Sequence, residues 1–309
     1  MPFEPRWAAF AAPSRVSMQG TPNEGQRTRK AEQSAPSSRT YSSDSLAPMA
    51  APELASVDGS ITETADARIP PGDDGLLRGD GVFEVIRLYR GTPFALGDHL
   101  DRLQRSAAAI ELPVDREAVE QEIAPLLERF GKEDGQLRIV VTRGGRRILL
   151  TEILPPRGET VSLASVHYSP SIILTGVKSL SYAANMQATR LAQGKGADEA
   201  LLVRPDGIVL EAPTSTVFWA TADGSLRTPA IDVGVLESIT RARIVRELEV
   251  EEGSFTLEEA LGAEEAFLAS TTREVQPVSS IDGKELAECP GHRTREATEA
   301  FGSVRDREL

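Results

Sequence analysis

The stretch TGVKSLSYAANMQATR, from Thr175 to Arg190, places one lysine after an apolar run and before a helical pattern. The preceding residues, SIILTGV, are β-branched and apolar and predict a strand that leads to Lys178. The chain has five lysines, and the other four lie in polar or turn-like settings: Lys30, Lys132, Lys195 and Lys284. A solvated lysine at a strand end would explain the placement of Lys178, and so would a chemical role.

Composition excludes several classes of protein. The chain has 309 residues and a net charge of −13, which argues against nucleic acid as the main partner. It has no apolar run long enough to cross a bilayer, and its single cysteine excludes a disulfide framework or a cysteine-based metal cluster. We therefore expect a globular, cytoplasmic protein that binds neither nucleic acid nor membrane.

The first fifty residues differ from the rest, because they are rich in Ser, Pro, Ala and Arg and have almost no apolar periodicity. Such a segment cannot bury enough surface to offset the entropy of ordering, so residues 1–50 are predicted to be disordered. A mispredicted start, with translation beginning at Met49 or Met18, explains the same composition.

Residues 51–170 predict a small α/β domain. The segment that starts at Gly75 predicts a strand, because apolar and other side chains alternate with period two in GVFEVIR. A turn at Arg90-Gly91 and a second short strand should follow. Two helices should follow, the first with Asp98 as its N-cap and the second kinked or divided by Pro125. Two further strands, QLRIVVTRGG and ETVSLASVHY, complete a mostly antiparallel sheet that ends near Pro170.

Residues 171–309 predict a second and larger domain. It begins with the Lys178 segment and a helix through Ala192, which several short strands separated by turns follow. A helix is expected after Ser238, then two strands and a last helix over about residues 293–301. The glycines form neither a dinucleotide fingerprint nor a P-loop, and the three histidines lack metal-ligand spacing, so no metal site is expected.

Five short segments occur in one order along the chain: HLDR at 99–102, VKSLSYAANM at 177–186, VLEAPTSTVFW at 209–219, SITRA at 238–242 and STTREVQPV at 270–278. Together they resemble the fold-type-IV enzymes that use pyridoxal 5′-phosphate. That family includes branched-chain aminotransferases, D-amino-acid aminotransferases and aminodeoxychorismate lyases. The resemblance implies a two-domain α+β fold, with a smaller N-terminal α/β domain and a larger C-terminal pseudo-barrel domain.

The resemblance also implies roles for three residues. Lys178 would form a Schiff base with the cofactor aldehyde and then act as general base and acid. Glu211 would lie against the pyridine nitrogen and keep it protonated, which makes the ring an electron sink. Tyr182, four residues after the lysine, would reach the ring hydroxyl, although a packed core tyrosine is an alternative.

The remaining matched positions would hold the phosphate and the substrate. Arg102 matches the arginine that binds the cofactor phosphate in this family. Ile239 and Thr240 lie where a helix begins, so their backbone N–H groups would favour the same anion. Thr271 matches a second phosphate-contacting hydroxyl. The candidates on the substrate side are Phe83, Arg87, Arg138, Thr272 and Arg273. For each arginine a surface or ion-pair role remains open, and His99 is expected to be structural.

The predicted function is transfer of an amino group between an amino acid, branched-chain-like or of the D series, and a 2-oxo acid. The alternative within the same family is 4-amino-4-deoxychorismate lyase activity, which releases pyruvate with the same lysine. The resemblance also implies a homodimer, since in this family a small-domain loop of one subunit closes the pocket of the other.

Overall fold

The computed structural model describes residues 53–309. The predicted disordered segment, residues 1–50, lies outside the described residues. The described residues belong to one compact unit built on two sheets. None of the described helices is both long enough and apolar enough to cross a membrane.

The first sheet has six strands, and every pair in it is antiparallel. Its strands are β1 (Leu54–Val57), β2 (Ser60–Glu63), β3 (Gly81–Tyr89), β4 (Thr92–Pro93), β5 (Gly135–Thr142) and β6 (Arg147–Glu152) in the order β2-β1-β6-β5-β3-β4. The predicted turn between β3 and β4 is present, with Arg90 and Gly91 at positive φ. A Cβ on Gly91 would lie 2.1 Å from the carbonyl oxygen of Gly131, so this turn requires glycine.

Three helices belong to this half of the unit: α1 (Asp74–Arg78), α2 (Leu96–Ala109) and α3 (Arg116–Phe130). The predicted strand from Gly75 is wrong at its start, because the Asp73 side chain accepts the Gly75 N–H at 2.8 Å and caps a short helix there. Asp98 is not the N-cap of α2, which is Ala95. Pro125 does not divide α3, because the apolar face of that helix packs into the core beside the sheet.

The second sheet has eight strands and both parallel and antiparallel pairs. Its strands are β7 (Val161–His167), β8 (Glu199–Val203), β9 (Thr216–Ala220), β10 (Leu226–Pro229), β11 (Glu251–Gly253), β12 (Glu265–Ser270), β13 (Glu274–Ile281) and β14 (Lys284–Glu285). The order is β11-β10-β9-β12-β13-β7-β8, and β14 pairs with β13. The helices of this half are α4 (Ala183–Gly194), α5 (Ile239–Glu247), α6 (Leu257–Leu261) and α7 (His292–Glu308).

Strand β7 was expected in the first sheet but pairs in parallel with β13 and β8 of the second. Its apolar pattern predicted a strand correctly, yet alternation does not specify which strands become neighbours. The chain therefore leaves the first sheet after Glu152 and enters the second sheet at Val161. The limits of the two predicted domains stay a prediction. The mixed α/β class with two sheets confirms the predicted fold class.

The apolar run before Lys178 is not a strand. Residues Ile172–Leu174 form a 3-10 helix in which Ile172 and Ile173 are 90% and 84% exposed. Adjacent residues of a strand point to opposite faces of a sheet, so a strand here would place Ile172 and Ile173 on different faces, whereas the 3-10 helix leaves both side chains exposed.

Candidate active site

Lys178 is held where the two sheets meet. The Phe83 N–H donates to the Lys178 carbonyl oxygen at 3.0 Å, and the Leu180 N–H donates to the Gly81 carbonyl oxygen at 2.9 Å. These bonds join the lysine segment to the start of β3 in an antiparallel bridge. The Lys178 N–H donates to Ser106 Oγ of α2 at 3.2 Å. The backbone of the lysine is therefore fixed by β3 and α2 of the first half of the unit.

The side chain of Lys178 lies in an electropositive and sheltered environment. Its Nζ is 4.5 Å from the centroid of the Phe83 ring. Burial lowers the pKa of Lys178 to about 8, the charge of Arg102 acts in the same direction, and Glu84 and Glu211 oppose it. A substantial fraction of this amine is therefore neutral near pH 8, which a nucleophilic lysine requires.

Glu211 lies in the same cavity as Lys178. Its backbone carbonyl accepts the Leu202 N–H of β8 at 2.9 Å, which anchors the segment that returns from the Asp206-Gly207 turn. Its Oε1 accepts the Leu236 N–H at 3.2 Å. Burial raises the pKa of Glu211 to about 7, although the Leu236 bond and the charge of Lys178 both lower it. The carboxyl is therefore short of a cationic partner, and a protonated ring nitrogen would supply one.

Tyr182 is the residue immediately before α4 and lines the cavity as predicted. Its hydroxyl donates to the carbonyl oxygen of Pro213, to which the Asn185 amide also donates at 3.0 Å. Its ring packs edge-on against Phe83, with centroids 5.3 Å apart. Burial and the nearby charge of Glu211 raise the pKa of the Tyr182 phenol, so the group stays protonated at neutral pH.

Arg102 belongs to a buried charged cluster that the sequence did not predict. Its Nε and Nη2 each donate to one oxygen of Glu84 at 2.7 Å, and its Nη1 donates to the Glu237 carbonyl oxygen at 2.9 Å. His99 Nδ1 lies 2.8 Å from Glu84 Oε2. Burial alone would raise the pKa of Glu84, but the bonds from Arg102 hold it at about 2. Glu84 therefore fixes the guanidinium of Arg102 at the cavity wall.

The predicted helix start at Ile239 and Thr240 is confirmed as the first turn of α5, with Ser238 as its N-cap. Both residues are buried, and neither side chain lines the cavity, whereas Ser238 does. The first amide groups of a helix have no acceptor within it, so the backbone of this turn can donate to an anion. Thr271, whose side chain is half-buried, lies in the wall of the same cavity.

The predicted arginines of the substrate side are already partly paired. Arg138 Nε donates to Glu152 Oε2 at 2.9 Å. Arg273 donates to the buried Glu199, and both Arg273 and Thr272 line the cavity. Arg87 donates to the Thr272 carbonyl oxygen at 3.2 Å but does not line the cavity.

The cavity has a volume of about 970 Å³ and brings most of the predicted residues together. Those that line it are Phe83, Arg102, Arg138, Lys178, Tyr182, Glu211, Thr271, Thr272 and Arg273, while Arg87, Ile239 and Thr240 do not. Sequence reasoning missed Arg157, which lies on the connection between the two sheets and lines the cavity. It also missed Ser215, whose buried hydroxyl has no hydrogen-bond partner among the described residues. Ser215 lies in the segment VLEAPTSTVFW, to which the resemblance assigned only Glu211 a role, while no sequence pattern marked Arg157.

The residues present fit pyridoxal 5′-phosphate by the chemistry of their donor set. The Lys178 amine, with a pKa of about 8, suits an aldehyde, and the half-buried Glu211 carboxyl, which has no ion-pair partner among the described residues, suits a pyridine nitrogen. The guanidinium of Arg102 and the first turn of α5 suit a phosphate. Lys178, Glu211, Arg102 and the α5 backbone would therefore hold the cofactor.

Comparison with known proteins agrees with this arrangement. The family model described as amino-transferase class IV matches residues 81–281. A putative branched-chain-amino-acid aminotransferase of Methanocaldococcus jannaschii is 32% identical, in an alignment that covers 81% of this chain and 95% of the relative. A D-alanine aminotransferase of Bacillus licheniformis is 32% identical, in an alignment that covers 79% of this chain and 94% of the relative. An aminodeoxychorismate lyase of Bacillus subtilis is 29% identical, in an alignment that covers 82% of this chain and 94% of the relative.

Solved structures show the same architecture. The branched-chain aminotransferase of Thermoproteus uzoniensis with norvaline is 28% identical and aligns with a TM-score of 0.73, over 82% of this chain and 95% of the other. A hypothetical aminotransferase of Mycobacterium tuberculosis in a PLP-bound form is 23% identical, with a TM-score of 0.76 over 83% of this chain and 100% of the other.

Proposed function

Because this chain belongs to the class IV amino-transferase family, we propose that it transfers an amino group between an amino acid and a 2-oxo acid with pyridoxal 5′-phosphate. One observation carries the proposal: the Lys178 amine, with a pKa of about 8, and the half-buried Glu211 carboxyl, with a pKa of about 7, lie in one cavity. Enzymes of this family use that cofactor.

When bound, pyridoxal 5′-phosphate supplies an aldehyde for an amine and a ring that withdraws electrons from the reacting carbon. Lys178 presents its amine as the nucleophile and afterwards accepts and returns a proton at Nζ. Glu211, whose Oε1 accepts the Leu236 N–H, would supply negative charge to the ring nitrogen. Arg102 and the first turn of α5 would hold the phosphate.

The substrate lies between the lysine and the half of the cavity that carries the arginines. Arg138 is near enough for its charge to lower the pKa of Lys178 and is a candidate for the α-carboxylate. The Phe83 ring packs against both Lys178 Nζ and Tyr182 and excludes water from the amine. Thr271, Thr272 and Arg273 also line the cavity.

A homodimer is part of the proposal. Four large apolar side chains are exposed in two short helices: Leu76 and Leu77 of α1 are 58% and 62% exposed, and Ile172 and Ile173 of the 3-10 helix even more so. Exposed apolar side chains in pairs are typical of an interface, and two-fold dimers are the commonest closed assembly. A cytoplasmic location stays a prediction.

Purified protein loaded with the cofactor should be incubated with a panel of L- and D-amino acids and several 2-oxo acids. We expect a new amino acid to appear in amounts that match the 2-oxo acid consumed, and Lys178→Ala to abolish its formation. Absence of amino transfer from every donor would overturn the proposal.

The second candidate function is 4-amino-4-deoxychorismate lyase activity, which the 29% identical lyase of Bacillus subtilis favours. The same protein preparation should be assayed for pyruvate released from aminodeoxychorismate without a 2-oxo acid. Release of pyruvate without amino transfer would replace the first function by the second.

A further inference from the structure

The two groups that would hold the cofactor phosphate belong to different helices. Arg102 lies on α2, whereas the first turn of α5 begins at Ile239. One hydrogen bond joins them directly, because Arg102 Nη1 donates to the carbonyl oxygen of Glu237, shortly before that turn, at 2.9 Å. A second connection one turn away would limit how far one helix can move against the other, and so would keep both groups directed at one anion.

Arg243 provides such a connection one helical turn along α5. It lies one turn after Ile239 and on the same side of α5, and its Nη1 donates back to the Ile239 carbonyl oxygen at 3.3 Å. Its Nη2 donates to Asp98 Oδ2 of α2 at 2.7 Å. Asp98 precedes Arg102 by one turn on α2, so the Arg243–Asp98 ion pair joins the two helices next to the groups that would hold the phosphate.

The last helix, α7, holds Arg243 in this position. One oxygen of Glu308 accepts bonds from Arg243 Nε at 2.8 Å and from Nη2 at 2.6 Å. The guanidinium carbon lies 5.0 Å from the centroid of the Phe94 ring, just before α2. Phe94 is buried and packs edge-on against Phe301 of α7, with centroids 5.8 Å apart. The buried side chain of Arg243 therefore contacts α2, α5 and α7 at once.

We propose that Arg243 and Asp98 are positioning residues for the cofactor phosphate, because their ion pair sets where the first turn of α5 lies relative to Arg102. The inference rests on the proposed placement of the phosphate at these two groups. Neither Arg243 nor Asp98 lines the cavity, so their effect on the phosphate passes through α2 and α5. A phosphate binds best when the guanidinium and the helix amides reach its oxygens together. Breaking the pair should therefore weaken binding of the phosphate and not of the ring.

Two ligands that differ only in the phosphate test this effect. Pyridoxamine 5′-phosphate and pyridoxamine have the same ring, and neither carries an aldehyde that could react with Lys178. Binding of each ligand to the cofactor-free full chain should be measured by calorimetry. The proteins to compare are the native one, Arg243→Gln and Asp98→Asn, and urea unfolding of each reports any general loss of stability.

Each variant has a matched control on the same helix. Arg246→Gln removes an exposed arginine of α5 that also pairs with Glu308, at 3.1 Å, so it tests loss of that contact alone. Asp101→Asn removes an exposed carboxylate of α2 that pairs with Arg116, so it tests loss of one negative charge from that helix. Both controls should bind the two ligands with nearly native affinity.

We expect the native protein to bind pyridoxamine 5′-phosphate more tightly than pyridoxamine. Arg243→Gln and Asp98→Asn should each lose about tenfold in affinity for the phosphorylated ligand, the value of about one charge-assisted hydrogen bond, and little for pyridoxamine. The two substitutions change the net charge in opposite directions. A general electrostatic effect would therefore weaken phosphate binding in Arg243→Gln and strengthen it in Asp98→Asn, whereas a positioning effect weakens it in both.

Three results would overturn the inference. Equal loss of affinity for the two ligands would show that the ion pair only stabilises the fold. Unchanged or tighter binding of pyridoxamine 5′-phosphate by Asp98→Asn would show that α5 is held without its connection to α2. Equal affinity of the native protein for both ligands would remove the phosphate placement itself.

The test does not depend on a single variant or on catalysis. If Arg243→Gln does not fold, Asp98→Asn still decides, because the Asp98 side chain is 54% exposed and Arg243 keeps its bonds to Glu308. Amino transfer enters none of these measurements. Failure of the proposed function is therefore recognised separately, by the absence of product in the native protein.

Discussion

Replacing Glu84 by glutamine tests the buried cluster that holds Arg102. Both carboxylate oxygens of Glu84 accept bonds from Arg102 at 2.7 Å, and the side chain is fully buried. Glutamine keeps the shape but removes the negative charge, so Arg102 would remain buried without its counter-ion. Removing one partner of a buried ion pair is far more costly than removing an exposed one.

The magnitude follows from the pKa. The pKa of Glu84 falls from 4.5 to about 2 on folding. At about 1.4 kcal/mol for each pKa unit, the ionised carboxyl contributes about 3 kcal/mol to the free energy of unfolding. Because the folded pKa is the lower one, this contribution is present above about pH 5 and is lost as the pH falls toward 2. For a unit of this size, the loss corresponds to a decrease in Tm of roughly 6–12 °C.

Urea unfolding of the cofactor-free protein at pH 7, followed by circular dichroism, measures the effect. Glu120→Gln is the matched control, because Glu120 forms an exposed i,i+4 pair with Arg116, worth about 0.5 kcal/mol. Glu84→Gln should also lose most of the acid-dependent decrease in stability between about pH 5 and 3. If Glu84→Gln lowered the free energy of unfolding by an amount within about 0.5 kcal/mol of the control's, the reasoning would be refuted, since so weak an ion pair would not fix Arg102.

Four further predictions concern the lysine, the carboxyl and the assembly. After borohydride reduction, peptide mass spectrometry should find the cofactor on Lys178, and none on Lys178→Ala; modification of Lys195 instead would contradict the assignment. The rate of covalent cofactor attachment should rise with pH and level off above about 8, because the neutral amine is the reactive form and its pKa is about 8; a rise that continues to pH 10 would indicate an ordinary lysine. Glu211→Gln should retain the cofactor yet lose about 2–4 kcal/mol of transition-state stabilisation, measured as kcat/KM; near-native turnover in the folded variant counts against the role. Residues 49–309 expressed alone should fold, bind cofactor and sediment as a dimer, and a fully active monomer would disprove the assembly.

Much of the fold could be predicted from local sequence. Alternation in GVFEVIR predicted β3, and the two helices expected after it are present as α2 and α3. These elements depend on residues close together in the chain, whose pattern reports burial directly. The order of the five segments predicted the family, and Lys178 and Glu211 do lie in one cavity.

Other features depend on segments far apart in the sequence. The pattern of β7 predicted a strand but not the sheet to which it belongs. The apolar residues of SIILTGV predicted a strand, but the structure has a 3-10 helix there. Glu84 was part of an alternating pattern, and only packing against α2 brought it to Arg102. Arg157 lies in a loop without a distinctive sequence pattern, and only the tertiary structure brings its guanidinium to the carbonyl oxygen of Thr272.

The sequence by itself determined most of the strands and helices and the family, because periodicity and short motifs can be read without knowledge of tertiary contacts, and it predicted Lys178 as the reactive lysine. Only the tertiary structure decided which charges are paired. Arg102 and Arg273 have buried carboxylate partners, while Arg157 has none within the part of the chain that the structure describes. The physical reason is that an ion pair requires two side chains to come within a few ångströms, and contacts between distant segments set that distance.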